Sequence, residues 1–115
     1  MNEDRRILVA SDSNISIRSF SDISDAIAAC IEAEGLILTE SEIAQEFFDL
    51  RSGLAGELFQ KCINYSVRLA IVLPNPETYG ERISELAYEH QSHSLIRFVR
   101  SMDEAEAWLY GHIKA

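Results

Sequence analysis

Short apolar runs alternate with amphipathic stretches along this chain, and the alternation limits it to few architectures. "RRILVAS" (Arg5–Ser11), "LILT" (Leu36–Thr39), "RLAIVLP" (Arg68–Pro74) and "LIRFV" (Leu95–Val99) are apolar, partly β-branched and too short for helices. They read as strands, the third closed by its proline. A stretch with helical spacing of apolar residues follows each of them. Strand–helix alternation of this kind predicts an α/β layer fold with a four- or five-stranded, mostly parallel or mixed sheet and four helices. Right-handed crossovers then place helices on both faces.

The first helix is expected in "SDISDAIAACIEAEG". Ser21 or Asp22 caps it, Ile23, Ile27, Cys30 and Ile31 form its apolar stripe, and Gly35 stops it. "ISIRSF", just before, alternates apolar and polar and suits a short strand or an extended connection. "SGLAGELFQKCINYS" is the second helix, with Leu54 or Ala55, Leu58, Phe59 and Cys62 inward. "NPETYGERISELAYEHQ" is the third, with Asn75 as cap, Pro76 at its first position, and Ile83, Leu86, Ala87 and Tyr79 buried. "SMDEAEAWLYGHIKA" opens with a capping box, Ser101 to Glu104, buries Met102, Ala105, Trp108 and Leu109, and frays near Gly111.

With 115 residues, 47% of them hydrophobic, the chain suits one domain, residues 1–115, around one core. No apolar run approaches a membrane span, and "MNEDRR" is followed by no signal-type segment, which places the protein in the cytoplasm. A net charge of −9 repels phosphate backbones, so nucleic acid and anionic membranes are excluded as partners. Cys30 and Cys62 fall on apolar helix faces without metal-type spacing and read as reduced core residues.

The "FFDLRSGLAGELFQK" stretch poses the functional question. Gly53 and Gly56 fall where a helix begins, and each glycine inside a helix costs about 1 kcal/mol relative to alanine. In a parallel sheet, ligands and partners meet the loops at the carboxyl ends of strands, and this loop is one of them. Ser52 is the expected N-cap, and the helix start offers free N–H groups and partial positive charge. Two readings follow. In one, the glycines let the helix pack closely on its own sheet and Asp49 bonds the following turn. In the other, Phe48, Asp49, Arg51, Ser52, Gly53, Gly56 and Glu57 form a contact surface. Arg51 then supplies a forked donor, and the helix start receives an acidic or phosphorylated partner. Of the adjacent phenylalanines, Phe47 and Phe48, an extended backbone would send one to the core and one to the surface.

"FFDLRSGLAGELFQKCINYSVRLAIVL" resembles the signature of a small bacterial family, domain of unknown function family 4180, whose members carry a stretch close to "FFDLxxGLAGExLQKFxNYxxxLAIV". The likeness covers Phe47 to Val72, and "SMDEAEAWL" is similar to the family's closing helix. It is weaker before Asp22, where the chain lacks the family's initial hairpin strand, and Leu73 with Pro74 stands where Gly-Asp is usual. More broadly, the order of elements resembles the STAS domains, the anti-sigma-factor-antagonist fold. There, a serine two residues before the glycine takes a phosphate from a partner kinase. That position is Arg51 here, so the resemblance implies the fold and the contact surface rather than the phosphorylation.

Other chemistry is weakly signalled. His90 and His93, with Glu89, fall short of a zinc ligand set, and a solvated helix end explains them without metal. Asp49 with Glu57 could pair for acid–base work. The G-x-S-x-G elbow, the Walker A lysine and G-x-G-x-x-G are missing. The expected function is therefore a non-catalytic regulatory or interaction module without cofactor or metal, bound to an unidentified protein. A small anionic ligand or nucleotide at the same helix start is the alternative, an enzyme using Asp49 and Glu57 the third reading. A homodimer through an exposed helix face remains open.

Overall fold

The computed structural model describes residues 7–113. Arg5 and Arg6 of the first expected strand, any strand before them, and the last two residues of the closing helix stretch lie outside the described residues.

Four strands, β1 (Ile7–Val9), β2 (Gly35–Thr39), β3 (Arg68–Val72) and β4 (Ile96–Val99), form one sheet. They lie in chain order and all pair in parallel, with Ile7 opposite Gly35, Gly35 opposite Arg68, and Leu69 opposite Ile96. The helices are α1 (Phe20–Ala29), α2 (Leu54–Tyr65), α3 (Glu81–Glu89) and α4 (Met102–Ile113). The expected "ISIRSF" segment is an extended connection that pairs at one point, Ile17 with Ile43.

Strand order explains how the layers divide. Sequential parallel strands joined by crossovers of one hand keep their helices on one side. Leu36, Leu38, Leu69 and Ile71 therefore pack with Ile23, Leu58, Cys62 and Ile83 from α1, α2 and α3. The opposite face, Ile37, Ala70 and Val72, is covered by Ala105 and Leu109 of α4. Both faces are covered, as expected, but three helices to one.

Local chemistry corrects several expected boundaries. The cap of α1 is Ser19, not Ser21 or Asp22: its hydroxyl accepts from Asp22 N at 3.3 Å, while Asp22 accepts in return from Arg18 N at 2.9 Å. Asp22 thus ties the residue before the cap to the first turn of the helix. The helix stops at Ala29, leaving Ile31 exposed rather than in the stripe. Gly35 does not end it but opens β2, where a Cβ would stand 2.8 Å from Leu109 Cδ2. Its missing side chain lets α4 sit down on the sheet. The third expected helix divides. Pro76–Tyr79 is a separate 3₁₀ turn, and Gly80, with φ of +103°, breaks the chain before α3. Asn75 is therefore not the cap of α3. At the other end, α4 does not fray at Gly111 but runs to Ile113.

The exposed edge of β4 is blunted by the chain's own side chains. Its parallel register turns the amides of Ile96, Phe98 and Arg100 outward, because Leu95 and Val99 face β3. Ile96 N donates to His93 Nδ1 at 3.1 Å, as does Leu95 N. Arg100 N donates to Glu104 Oε1 at 2.6 Å. Two of three outward donors are thus satisfied internally, which discourages edge-to-edge pairing. Partial burial first, then His90 and Arg97, hold His93 below the ordinary imidazole value of 6.5. Its neutral form is the one that accepts these bonds, so its stabilisation is complete above 6.5 and is lost as pH falls toward the lowered value. Urea unfolding at pH 7.5 and 5.0 should therefore show a larger acid-side loss in the wild type than in His93→Asn, which keeps an acceptor but cannot titrate.

Candidate functional site

The connection from β2 to α2 is built from short 3₁₀ turns tied to the core. Glu42 is buried, and its Oε1 accepts from Thr39 N and Oγ1 at 2.8 and 3.0 Å, a capping arrangement that starts the first turn. Ile17 N donates to Glu42 O at 2.7 Å and Ala44 N to Ile17 O at 3.0 Å, stitching the loop to the extended segment. Phe47 and Phe48 lie in a turn, Gln45–Phe48, not in extended backbone. Phe47 is fully buried, edge-on to Phe59. Phe48 is half-buried and stacks on Tyr79 with centroids 4.0 Å apart. The Tyr79 hydroxyl donates to Glu40 Oε2 at 2.8 Å. Partial burial, then the bond to Glu40 and its charge, push this phenol up to about 12, which keeps it a donor.

The expected contact residues follow. Asp49 caps the turn Leu50–Ser52 and accepts from Arg51 N at 3.1 Å. Its other bonds come from the Arg51 side chain, Nε to Oδ1 at 3.2 Å and Nη2 to Oδ2 at 3.5 Å. These bonds from Arg51, side chain first and backbone second, hold the Asp49 carboxyl below its usual range. The Arg51 fork is therefore turned back on its neighbour rather than held free, although its side chain is 90% exposed.

Ser52 is not the N-cap of α2. That position falls to Gly53, in left-handed backbone with φ of +84°. Ser52 Oγ instead donates to Glu46 O at 2.7 Å and accepts from Leu54 N at 3.2 Å. It closes the turn from outside the helix and is itself occupied. Phe20 Cζ stands 3.6 Å from where a Gly53 Cβ would lie. The helix start is thus partly covered by the chain's own Ser52 and Phe20.

The two glycines have different reasons. Gly53 is required by its backbone conformation. Gly56 is exposed, has ordinary helical backbone and has nothing within 4 Å of an added Cβ. Close packing on its own sheet, the structural reading of both glycines, therefore fails for Gly56. The Asp49 turn bond in that reading is present. Glu57 lies 3.6 Å from Lys61, so each of the two carboxylates has its own cationic neighbour.

An open cleft of about 410 Å³ lies between the β2–α2 connection and the start of α3, lined by Phe48, Asp49, Leu50, Arg51, Tyr79, Gly80, Glu81 and Arg82. Ser52, Gly53, Gly56 and Glu57 lie outside its lining. His90 and His93 stack at 5.1 Å, but His93 Nδ1 already accepts two amides and His90 Nδ1 is bonded to Leu86 O. Among the described residues, no group of three or more His, Cys, Asp or Glu is placed to hold a metal. Cys30 and Cys62 are free and buried, and burial pushes their thiols up to about 11 and about 12. Among the same residues, no helix is long and apolar enough to cross a membrane.

These features define an α/β domain with a four-stranded parallel sheet and an aromatic, charged cleft beside the β2–α2 connection. The chain belongs to the family described as Domain of unknown function (DUF4180), whose profile matches residues 2–109. No curated protein and no solved structure matches it significantly.

Tyr79, Glu40 and Arg82 were absent from the expected surface. Read as one long helix, the 75–91 stretch places Tyr79 on a buried face, whereas the chain breaks at Gly80. The glycine after it, in "TYGER", was the local signal of a break. Its pairing with Glu40 joins residues 39 apart and leaves no trace in sequence spacing. The glycine contrast is directly measurable. Gly53→Ala should cost about 1–2 kcal/mol for its left-handed backbone, whereas Gly56→Ala should raise stability by about 0.5–1 kcal/mol through helix propensity. Urea unfolding of both variants reads the opposite signs.

Proposed function

We propose that this chain is a non-catalytic regulatory or protein-interaction module of a bacterial cytoplasm, STAS-like in plan, whose contact surface centres on the β2–α2 connection. The observation that carries the reading is the cleft beside that connection. Phe48 and Tyr79 give it a fixed aromatic wall, and Arg51 and Arg82 are exposed at its border. Aromatic and arginine side chains dominate binding energy at protein contacts. In a chain of net charge −9, two arginines beside an aromatic pair suit an apolar side chain next to an acidic or phosphorylated group. Arg51 would exchange Asp49 for that group, an exposed bond that is cheap to break. The surface thus moves from the tip of α2, where Ser52 is occupied, toward Tyr79 and Arg82.

The alternatives draw less support. A catalytic carboxylate acting as an acid needs a raised pKa, and that of Asp49 is lowered. A nucleotide or small anion at the helix start would have to share it with Ser52, which already takes the Leu54 amide.

Affinity capture from the source cell, using wild type, Arg51→Glu/Arg82→Glu and the control Arg18→Glu, tests the surface. A partner retained by wild type and control should be lost by the double variant, whose thermal unfolding should stay close to wild type. In a parallel thermal-shift series, ATP, GTP and inorganic phosphate should give no saturable shift. Saturable stabilisation by one of them, abolished in the double variant, would favour the small-ligand reading.

A further inference from the structure

Two histidines close the turn between α3 and β4, and they do so in opposite ways. His90 Nδ1 lies 2.8 Å from Leu86 O. A carbonyl only accepts, so this nitrogen carries a proton. His93 Nδ1 lies 3.1 Å from both Leu95 N and Ile96 N. Amides only donate, so this nitrogen is bare and the ring proton sits on Nε2. The two rings stack with centroids 5.1 Å apart, and His90 also meets Phe59 and Phe98.

The asymmetry decides what a further proton does. On His90 it goes to Nε2 and leaves the bond to Leu86 in place. On His93 it goes to Nδ1 and turns a shared acceptor into a donor aimed at two donors. Both bonds are then lost and the ring must turn away. A third bond depends on the same residue, because Arg97 Nε donates to His93 O at 3.0 Å. That bond helps to hold the guanidinium over the Trp108 ring, 5.1 Å from its centroid. One residue thus fastens the first amides of β4 and, through Arg97, a contact to α4. The groups whose charge acts on His93 are His90 at the end of α3 and Arg97 on β4. Neither favours a charged His93, since both carry positive charge when protonated. The ring that α2 adds to the cluster, Phe59, is neutral.

We propose that residues 90–95 form a proton-operated latch on the sheet edge: protonation of His93 releases the start of β4 and frees Arg97 from Trp108. Ile96 N is then open, and of the two internal blocks on the edge only the bond from Arg100 N to Glu104 remains. The latch is independent of the cleft reading.

Amide hydrogen exchange of the full chain, followed by NMR and corrected for its intrinsic pH dependence, tests it. Between pH 7.5 and 5.0, protection at Leu95 and Ile96 should fall about threefold or more in wild type. Leu69, whose amide is bonded to Leu95 O, should keep its protection, which separates local release from unfolding. His93→Asn keeps an acceptor but cannot titrate, so its protection at Leu95 and Ile96 should not fall. Trp108 is the chain's only tryptophan. In a His112→Gln background its emission should change over the same pH interval, and adding His93→Asn should abolish the change. Ring ¹⁵N shifts give a check that needs no variant: His93 Nδ1 should be unprotonated at pH 7.5 and gain its proton as protection falls. A protonated Nδ1 at pH 7.5, unchanged protection at pH 5.0, or equal losses in wild type and His93→Asn overturns the latch.

Discussion

Burial of the two central strands on both faces is the constraint from which the rest follows. β2 and β3 alternate their side chains between two separate cores, and Leu36, Ile37, Leu38, Leu69, Ala70 and Ile71 are all fully buried. Side chains of successive residues point to opposite faces, so a one-residue slip would exchange the two cores. The larger core sits under three helices and the smaller under α4 alone. Small residues make the single-helix cover workable: Gly35, Ala70 and Ala105 let α4 lie close. Once that register is set, the carboxyl ends of all four strands open on one rim.

The rim is where the chain departs from regular structure, and it does so in an ordered way. Phe47 anchors the β2–α2 connection in the core, and its neighbour Phe48 reaches outward to Tyr79. Tyr79 in turn bonds Glu40, so the start of the connection, its middle and the turn before α3 are held to one another. Glu42 and Ser52 close the two ends by bonding to backbone amides. Loops placed on a rigid scaffold in this manner are the usual carriers of recognition. Less conformational entropy is then lost when a partner binds.

Much of this order was legible in the residues, and the exceptions have physical causes. Helical spacing in "LAGELFQKC" and the unbroken apolar run "RLAIV" each reflect a local periodicity, and both elements form where that periodicity places them. The parallel sheet followed from alternation, which chain connectivity enforces. Boundaries set by competing polar side chains were harder. Ser19, Ser21 and Asp22 can all cap a helix, and only the extended backbone of Ser19, with its hydroxyl on Asp22 N, decides among them. The same limit applied to Ser52, which reads as a cap but acts one residue outside the helix because Gly53 turns left-handed. Glycines mark a departure without stating its kind: Gly35 is a packing glycine, Gly53 and Gly80 are conformational, and Gly56 has no internal role. Pairings across the fold, such as Phe48 with Tyr79, depend on tertiary placement alone.

The β2–α2 connection is held rigid in the free protein by Phe47 in the core, by the Tyr79–Glu40 bond and by Ser52. Backbone ¹⁵N relaxation of the free protein measures this most directly. Order parameters for residues 46–54 should match those of α2, near the ~0.85 of rigid backbone. Values below about 0.6 across that segment would contradict it.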